Sequence, residues 1–440
     1  MPDKTLPKQI ILAAHFPGVN NTTVWSDPAA GSQIEFDSFV HLARTAERGK
    51  FDFFFLAEGL RLREQRGLIH DLDVVGRPDT LTVLSALAAV TTHLGLAGTL
   101  NATFHEPYEL ARQLATLDHL SGGRAAWNVV TSSGPFFGEN FRRGGFLDYA
   151  DRYTRAGEFI DAARVLWDSW NALEPVRDSG FFADTGQFTV RSPQFDIAGR
   201  FPVPRSPQGH PVILQAGDSD GGRELAASRA DAIFSRHHEL EDGREFYRDV
   251  KGRLARYGRS PDSLKIIPGV SYVLGETEAD AQEKAHHIRR QQVSPQTAIL
   301  LLEQVWNRDL SAYDADGPLP EVDPLDDENT IIQGRTAQTH DRHRTAAEWR
   351  ARADAKNLSI RELIIEVTGR QSFIGTASTV AAQLNEYVQT GACDGFILVP
   401  HLTPTGLDEF VDTVVPLLQE RGVFRTDYES GTLRGHLGLA

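Results

Sequence analysis

The stretch that decides the fold is a strand, helix and strand unit at residues 94–131. It opens with Leu-Gly-Leu-Ala-Gly-Thr-Leu-Asn at 94–101 and ends with Arg-Ala-Ala-Trp-Asn-Val-Val-Thr at 124–131. Between the two runs, apolar residues at 107–120 recur with the spacing of one helix face. Both outer runs are nearly continuously apolar, which is typical of parallel strands buried on both faces. The unit therefore predicts a parallel sheet with crossover helices.

The same alternation of apolar runs and helical segments continues in both directions along the chain. It predicts eight strands, at residues 9–16, 52–58, 94–101, 124–131, 211–217, 232–235, 264–273 and 395–399. Eight strand and helix units in one chain favour closure into a barrel over an open sheet. We therefore predict an α/β fold, a (β/α)8 TIM barrel that forms a single domain over residues 1–440.

Two segments interrupt this alternation. Residues 171–210, with paired Phe, Gly and Pro, predict an inserted hairpin and loop before the fifth strand. Residues 276–373 contain a helical run followed by an acidic, Pro-rich stretch. An insertion of this length usually has a function of its own, and we interpret it as a lid or an assembly surface.

Composition excludes several classes of protein. The net charge of -15 gives no attraction to nucleic acid or to anionic lipid. The single cysteine, Cys393, rules out an internal disulfide and a site with several thiolate ligands, which fits a reducing compartment. No apolar run reaches the roughly 18 residues of a membrane span, and the N-terminal apolar run is too short for a signal peptide. We expect a cytoplasmic protein.

The chemistry of a barrel of this kind lies at the C-terminal ends of its strands. The polar residues predicted there are His15, Glu58, Asn101, Thr103, Asn128, Asp218, Ser219, His237, His238 and His401. Each also has a purely structural explanation, because strand ends need turn-forming and capping residues. No metal site is predicted, since adjacent histidines such as His237 and His238 diverge from one strand.

The segment Gln-Ala-Gly-Asp-Ser-Asp-Gly-Gly at 215–222 joins a strand, a Gly-rich turn and a helix N-terminus. Free backbone N–H groups and the positive end of the helix dipole predict a phosphate site here. A tight turn that Ser219 or Asp220 caps explains the pattern equally well. Asp218 opposes phosphate binding unless its side chain turns away. The glycine spacing matches neither a Walker loop nor the dinucleotide fingerprint.

Several runs of residues resemble one known family along almost the whole chain. They lie at 101–108, 117–132, 151–153, 215–217, 391–396 and 414–419. With them the chain resembles the nitrilotriacetate monooxygenase component A group of bacterial luciferase-like, FMN-dependent monooxygenases, which includes dibenzothiophene-sulfone and long-chain alkane monooxygenases. The resemblance implies a two-component oxidoreductase in which a separate flavin reductase supplies reduced FMN. With O2, such an enzyme oxygenates a small organic substrate through a flavin peroxide-type intermediate. A homodimer or homotetramer is also implied.

The resemblance also implies roles for individual residues. Those around FMN would be Glu58, Thr103, Asn128, Tyr149, Tyr153, Gly217, Asp218 and Ser219, with Tyr153 and the 217–219 turn at its phosphate. Thr103 and Asn128 are the implied catalytic residues, which donate hydrogen bonds where oxygen adds to the flavin ring. We assign Phe16, His237 and His238 to the substrate. Relatives usually carry Asp in place of Glu58 and His in place of Tyr149, so substrate identity is not transferred.

Two other functions stay open on the sequence alone. One is a flavin-binding or small-molecule-binding barrel without turnover, which oxygen-dependent product formation would exclude. The other is a metal-free barrel hydrolase in which Glu58 and Asp73 act as general acid and base. Activity without FMN and O2 would favour the hydrolase.

Overall fold

The computed structural model describes residues 6–17, 23–69, 76–132, 134–141, 147, 151–170, 185–326, 332–333, 341–369 and 371–439. Eight strands form a closed parallel barrel: β1 (Ile11–His15), β2 (Phe53–Leu56), β4 (Gly95–Asn101), β5 (Ala125–Val130), β8 (Val212–Gln215), β9 (Ala232–Ser235), β10 (Lys265–Val270) and β14 (Gly395–Leu398). Three two-stranded sheets pair β3 (Glu64–Gln65) with β12 (Ile332–Gln333), β6 (Gln187–Arg191) with β7 (Asp196–Arg200), and β11 (Tyr272–Leu274) with β13 (Phe373–Gly375).

The barrel strands follow one another in chain order, and each of the eight predicted strands coincides with one of them. The longest pairing joins β4 to β5, from Leu96 opposite Ala125 to Asn101 opposite Val130. The barrel closes where Ile11 of β1 lies opposite Gly395 of β14. The predicted (β/α)8 barrel is therefore confirmed.

Helices surround the strands and also fill the second long insertion. They are α1 (Phe36–Arg48), α2 (Thr80–Ala88), α3 (Pro107–Ser121), α4 (Pro135–Gly138), α5 (Arg152–Trp167), α6 (Asp220–Arg229), α7 (Leu240–Arg253), α8 (Glu278–Gln292), α9 (Pro295–Trp306), α10 (Arg342–Lys356), α11 (Ile360–Thr368), α12 (Ala377–Gln389), α13 (Asp408–Glu420) and α14 (Leu433–His436). No helix of the described ranges combines the length and the apolar character needed to cross a bilayer.

The C-terminal segment closes the end of the barrel at which the strands begin. Leu433 is fully buried and packs with Leu437 against the inward-facing side chains of the strands. A Cβ on Gly95, the first residue of β4, would lie 2.6 Å from Cδ1 of Leu433, so this glycine lets the leucine enter. The backbone N–H of Leu433 donates to the carbonyl of Gly123 at 3.0 Å. The opposite end of the barrel, at the C-terminal ends of the strands, is not closed by this segment and can form a binding site.

The described part of residues 276–373 contains four helices, α8 to α11, and a small hydrophobic core of its own. Leu302 and Trp306 of α9 pack with Ile360 and Ile364 of α11. The segment also contacts the loop that follows β2, because β12 pairs with β3 and the buried Glu303 accepts a hydrogen bond from Gln65. The insertion therefore lies against the end of the barrel at which the strands finish.

Candidate active site

A cavity of about 620 Å³ opens at the C-terminal ends of the barrel strands. This volume is within the range of small-molecule and cofactor sites. All eight strands, or the residues directly after them, contribute to its lining, and α7 and the second insertion add one residue each. The lining residues are His15, Phe55, Ala57, Glu58, Thr99, Asn128, Val130, Ala216, Asp218, Phe234, Ser235, Arg236, His237, His238, Asp242, Gly269, Val270, Ser271, Ser372 and Val399.

The floor of the cavity is aromatic and uncharged. The rings of Phe55 and Phe234 stack with centroids 5.8 Å apart and an interplanar angle of 12°. A Cβ on Gly269 would lie 2.6 Å from Phe234, so the ring reaches this position only because residue 269 is glycine. Beside Phe55, burial and then the charge of Arg77 lower the pKa of His15 to about 4. His15 is therefore neutral at physiological pH.

One wall carries enclosed polar atoms. Nδ2 of Asn128 donates to Oγ1 of Thr99 at 2.8 Å, and Oδ1 of Asn128 has no partner among the described residues. The same holds for Oγ of the buried Ser235, which also lines the cavity. Buried polar atoms in native proteins nearly always have a partner. Their grouping here indicates that a polar ligand completes the wall.

Glu58 adds a carboxyl group whose Oε2 is enclosed and has no partner within the described ranges. Burial, followed by the negative charge of Asp79, raises the pKa of Glu58 to about 8. The backbone N–H of Asn101 donates to the carboxyl group and acts in the opposite direction. At neutral pH Glu58 is therefore mostly protonated, so that it can donate a hydrogen bond as well as accept one.

The Gly-rich turn between β8 and α6 is built around three glycines and Tyr153. Ser219 caps α6, accepting a hydrogen bond from the N–H of Gly222 at 3.3 Å. Its Oγ lies 2.8 Å from the hydroxyl of Tyr153. A Cβ on Gly217 would lie 3.1 Å from that hydroxyl, and one on Gly221 would lie 2.9 Å from the tyrosine ring. The turn is thus both a capped helix start and a concave backbone surface beneath a tyrosine.

Asp218 turns toward hydrogen-bond donors on the loop after β9. Its Oδ1 accepts from Nε2 of His237 at 2.7 Å, and its Oδ2 accepts from Nη2 of Arg236 at 3.2 Å. Burial raises the pKa of Asp218, but these hydrogen bonds and charges outweigh burial, so the pKa is lowered overall. Nδ1 of His237 lies 2.7 Å from Oδ2 of Asp242. The negative charge that opposed a phosphate in the sequence is therefore paired.

The cavity brings together five of the residues to which the sequence analysis gave a role at flavin or substrate: Glu58, Asn128, Asp218, His237 and His238. Gly217, Ser219 and Tyr153 lie beside them, because residues 216 and 218 line the cavity and Tyr153 contacts Ser219. The polar end of the cavity and the Gly-rich turn therefore form one continuous region.

Three selected residues lie elsewhere or cannot be placed. Thr103 is buried, and its N–H donates to Oδ1 of Asn101 at 2.7 Å. Phe16 is buried outside the cavity lining, where its ring stacks on Phe39 with centroids 4.0 Å apart. Tyr149 lies outside the described residues. The roles assigned to these three residues stay predictions.

Several residues of the cavity are not predicted from the sequence, among them Phe55, Phe234, Ser235, Arg236 and Gly269. Four of the five lie inside barrel strands, where apolar and small residues also fit an ordinary core. The signal that could have found them is the alternation of side chains across each strand. Arg236 could have been found from its place between β9 and His237.

Comparisons with known proteins agree with this geometry. Residues 17–394 match the family described as "Luciferase-like monooxygenase". The chain is 40% identical to N-acetyl-S-(2-succino)cysteine monooxygenase of Bacillus subtilis (strain 168), over 98% of this chain and 97% of that protein. It is also 40% identical to nitrilotriacetate monooxygenase component A of Aminobacter aminovorans, over 94% of this chain and 92% of that protein.

The solved structures give the same result. Riboflavin lyase, crystallised with modified FMN and riboflavin, is 28% identical with a TM-score of 0.79, over 98% of this chain and 96% of that chain. The resemblance inferred from the sequence is therefore confirmed, as is the prediction of a monooxygenase. The chain belongs to the luciferase-like monooxygenase family, a family of flavin-dependent oxidoreductases.

Proposed function

We propose that this chain is the oxygenase component of a two-component system. It takes reduced FMN from a separate flavin reductase and uses O2 to transfer one oxygen atom to a small organic substrate. The observation that carries the proposal is the cavity, which combines an aromatic floor, enclosed polar atoms without a described partner and an adjoining Gly-rich turn.

These residues fit the chemistry of FMN. A flavin ring system has one apolar end and one edge of carbonyl and N–H groups, which match the Phe55 and Phe234 floor and the polar atoms of Asn128 and Glu58. The 217–219 turn with Tyr153 would hold the phosphate, since backbone N–H groups at a helix start bind anions. A likeness to riboflavin lyase with its modified FMN supports the assignment.

When bound, reduced flavin supplies the electrons that activate O2. Within the proposal, Asn128 would donate a hydrogen bond where oxygen adds to the flavin ring, the role that the family resemblance also assigns to Thr103. The Thr99 hydroxyl can donate or accept, so the Asn128 amide can turn over and present its NH2 group to the cavity. Apolar side chains such as Val130, Val270 and Val399 exclude water from the same space.

Anaerobic titration of the purified chain with photoreduced FMN, followed by rapid mixing with O2, tests this function. We expect saturable binding and a rate of flavin reoxidation that differs from that of free flavin. Asn128→Ala should change this rate, whereas Asn140→Ala, at an exposed position, should not. Absence of flavin binding in both redox states would contradict the proposal. Binding with an unchanged reoxidation rate would favour the flavin-binding barrel without turnover.

The same proposal extends to the cellular compartment and the oligomeric state of the enzyme. We place it in the cytoplasm as a homodimer or homotetramer that receives FMN from its reductase by diffusion. Support comes from the single, buried Cys393, which fits a reducing compartment, and from a close relative whose name describes it as component A. Light scattering after size-exclusion chromatography measures the subunit number, and a monomer would contradict this assignment.

A further inference from the structure

The ends of β8 and β9 place a guanidinium group at the cavity that the flavin assignment above does not use. Arg236 lines the cavity, and its side chain is 54% exposed. One of its N–H groups donates to Oδ2 of Asp218 at 3.2 Å. A guanidinium has five N–H donors, and within the described ranges the Arg236 side chain has no other hydrogen-bond partner. It is therefore anchored on one side and free to bind on the other.

Asp218 contacts two other side chains, His237 and Arg223, but each of them has a second carboxylate. His237 also contacts Asp242 at 2.7 Å, and Arg223 also donates to Asp249 at 2.8 Å. Among the described contacts of Asp218, Arg236 alone lacks a second acidic partner. Of the three side chains, Arg236 is thus the one held by a single carboxylate.

We propose that Arg236, held in place by Asp218, is the anion-recognising residue of this cavity. The inference deepens the proposed function and rests on it. A fixed guanidinium binds planar carboxylates and phosphates through two parallel N–H groups. The anion is either the flavin phosphate, because Asp218 belongs to the Gly-rich turn, or a carboxylate of the substrate. Asp218 acts as a positioning residue, since its own negative charge would repel either anion.

Paired titrations with FMN and riboflavin, which lacks the phosphate, distinguish the two sources. If the phosphate is the anion, Arg236→Gln weakens FMN binding by roughly 10- to 100-fold, the range of a hydrogen bond to a charged group, and barely changes riboflavin binding. Asp218→Asn should reduce the same FMN preference by a smaller factor. Arg256→Gln, at a 69% exposed position, is the matched control and should leave both affinities unchanged.

The second arm uses citrate as a carboxylate probe and inorganic phosphate as its counterpart, with thermal melting of the FMN-loaded protein as the readout. A second outcome is that Arg236→Gln leaves the ratio of FMN to riboflavin affinity unchanged, while citrate raises the melting temperature of the wild type but not of Arg236→Gln. This outcome supports a substrate carboxylate as the anion that Arg236 binds. If Arg236→Gln alters neither arm, the inference is overturned. Arg236→Lys, which keeps the charge but loses the paired N–H groups, should restore part of the lost effect.

The failure of this inference and that of the proposed function are distinguishable. A wild-type chain that binds neither FMN nor riboflavin in either redox state contradicts the proposed function, while melting of the unliganded protein with citrate still tests Arg236. If the wild type binds both flavins, Arg236→Gln leaves the preference for FMN over riboflavin unchanged, and citrate does not stabilise the wild type, only the role of Arg236 is contradicted.

Discussion

Flavin binding should depend on the protonation state of Glu58. Burial and the nearby charge of Asp79 raise the pKa of this carboxyl group to about 8. The nearby histidines do not offset that effect, because burial lowers the pKa of both His15 and His105. Below pH 8 the carboxyl group is therefore a hydrogen-bond donor, and above that pH it is an anion.

The size of the effect follows from this pKa. If only the protonated form donates to a carbonyl group of bound flavin, the competent fraction falls from about 0.9 near pH 7 to about 0.1 near pH 9. The apparent Kd for FMN then rises about tenfold over this interval. The affinity for FMN is thus at its maximum below the pKa of Glu58 and decreases as the pH rises through this pKa. The flavin phosphate stays doubly ionised over this range, so it does not mask the change.

Fluorescence titration of oxidised FMN at a series of pH values is the assay. Glu58→Gln keeps a permanent donor at this position, so its Kd should be flat across the interval at which the wild-type Kd rises. Glu321→Gln, at an exposed position, should keep the wild-type pH curve. A wild-type Kd that does not change, or a Glu58→Gln curve that follows the wild type, would refute the reasoning.

Three further substitutions test other parts of the structure. Asn128→Ala removes the amide group of the polar wall and should lower oxygen-dependent turnover by about 100-fold in stopped-flow kinetics; full activity would refute its role. Gly269→Ala would displace Phe234 from the floor, and we expect about 1–3 kcal/mol less stability to urea with weaker flavin binding; unchanged flavin affinity would contradict this. Leu433→Ala should lower the free energy of unfolding by about 2–5 kcal/mol, and a negligible change in urea denaturation would show that Leu433 does not seal the barrel.

The sequence predicts the barrel because parallel strands buried on both faces are continuously apolar. β5, with Ala-Ala-Trp-Asn-Val-Val, is an example, and its position is found to within one residue. The two-residue strands β3 and β12 carry no such signal. Helices α9 and α11 were not predicted individually, since their apolar faces pack on each other in a separate core rather than on the barrel. Their pairing depends on the folded insertion and not on local pattern.

The site is less predictable than the fold, because its chemistry depends on which way each strand residue points. Glu58, Asn128 and His237 lie at strand ends and were found from that position. Phe16 follows His15 directly, so the two side chains point to opposite faces: His15 lines the cavity and Phe16 packs on Phe39. Which face is inside depends on the barrel register, and the register comes from contacts distant in the chain.

The closure of the barrel has a consequence for synthesis on the ribosome. β1 pairs with β2 on one edge and with β14 on the other, so that second edge waits for a partner more than 380 residues later. At about 5–20 residues per second, β1 keeps an unpaired edge for roughly 20–80 s. An unpaired strand edge invites association with other chains. The nascent chain is therefore exposed to aggregation for most of its translation, and we expect its yield of folded protein to depend on chaperones that bind apolar strands.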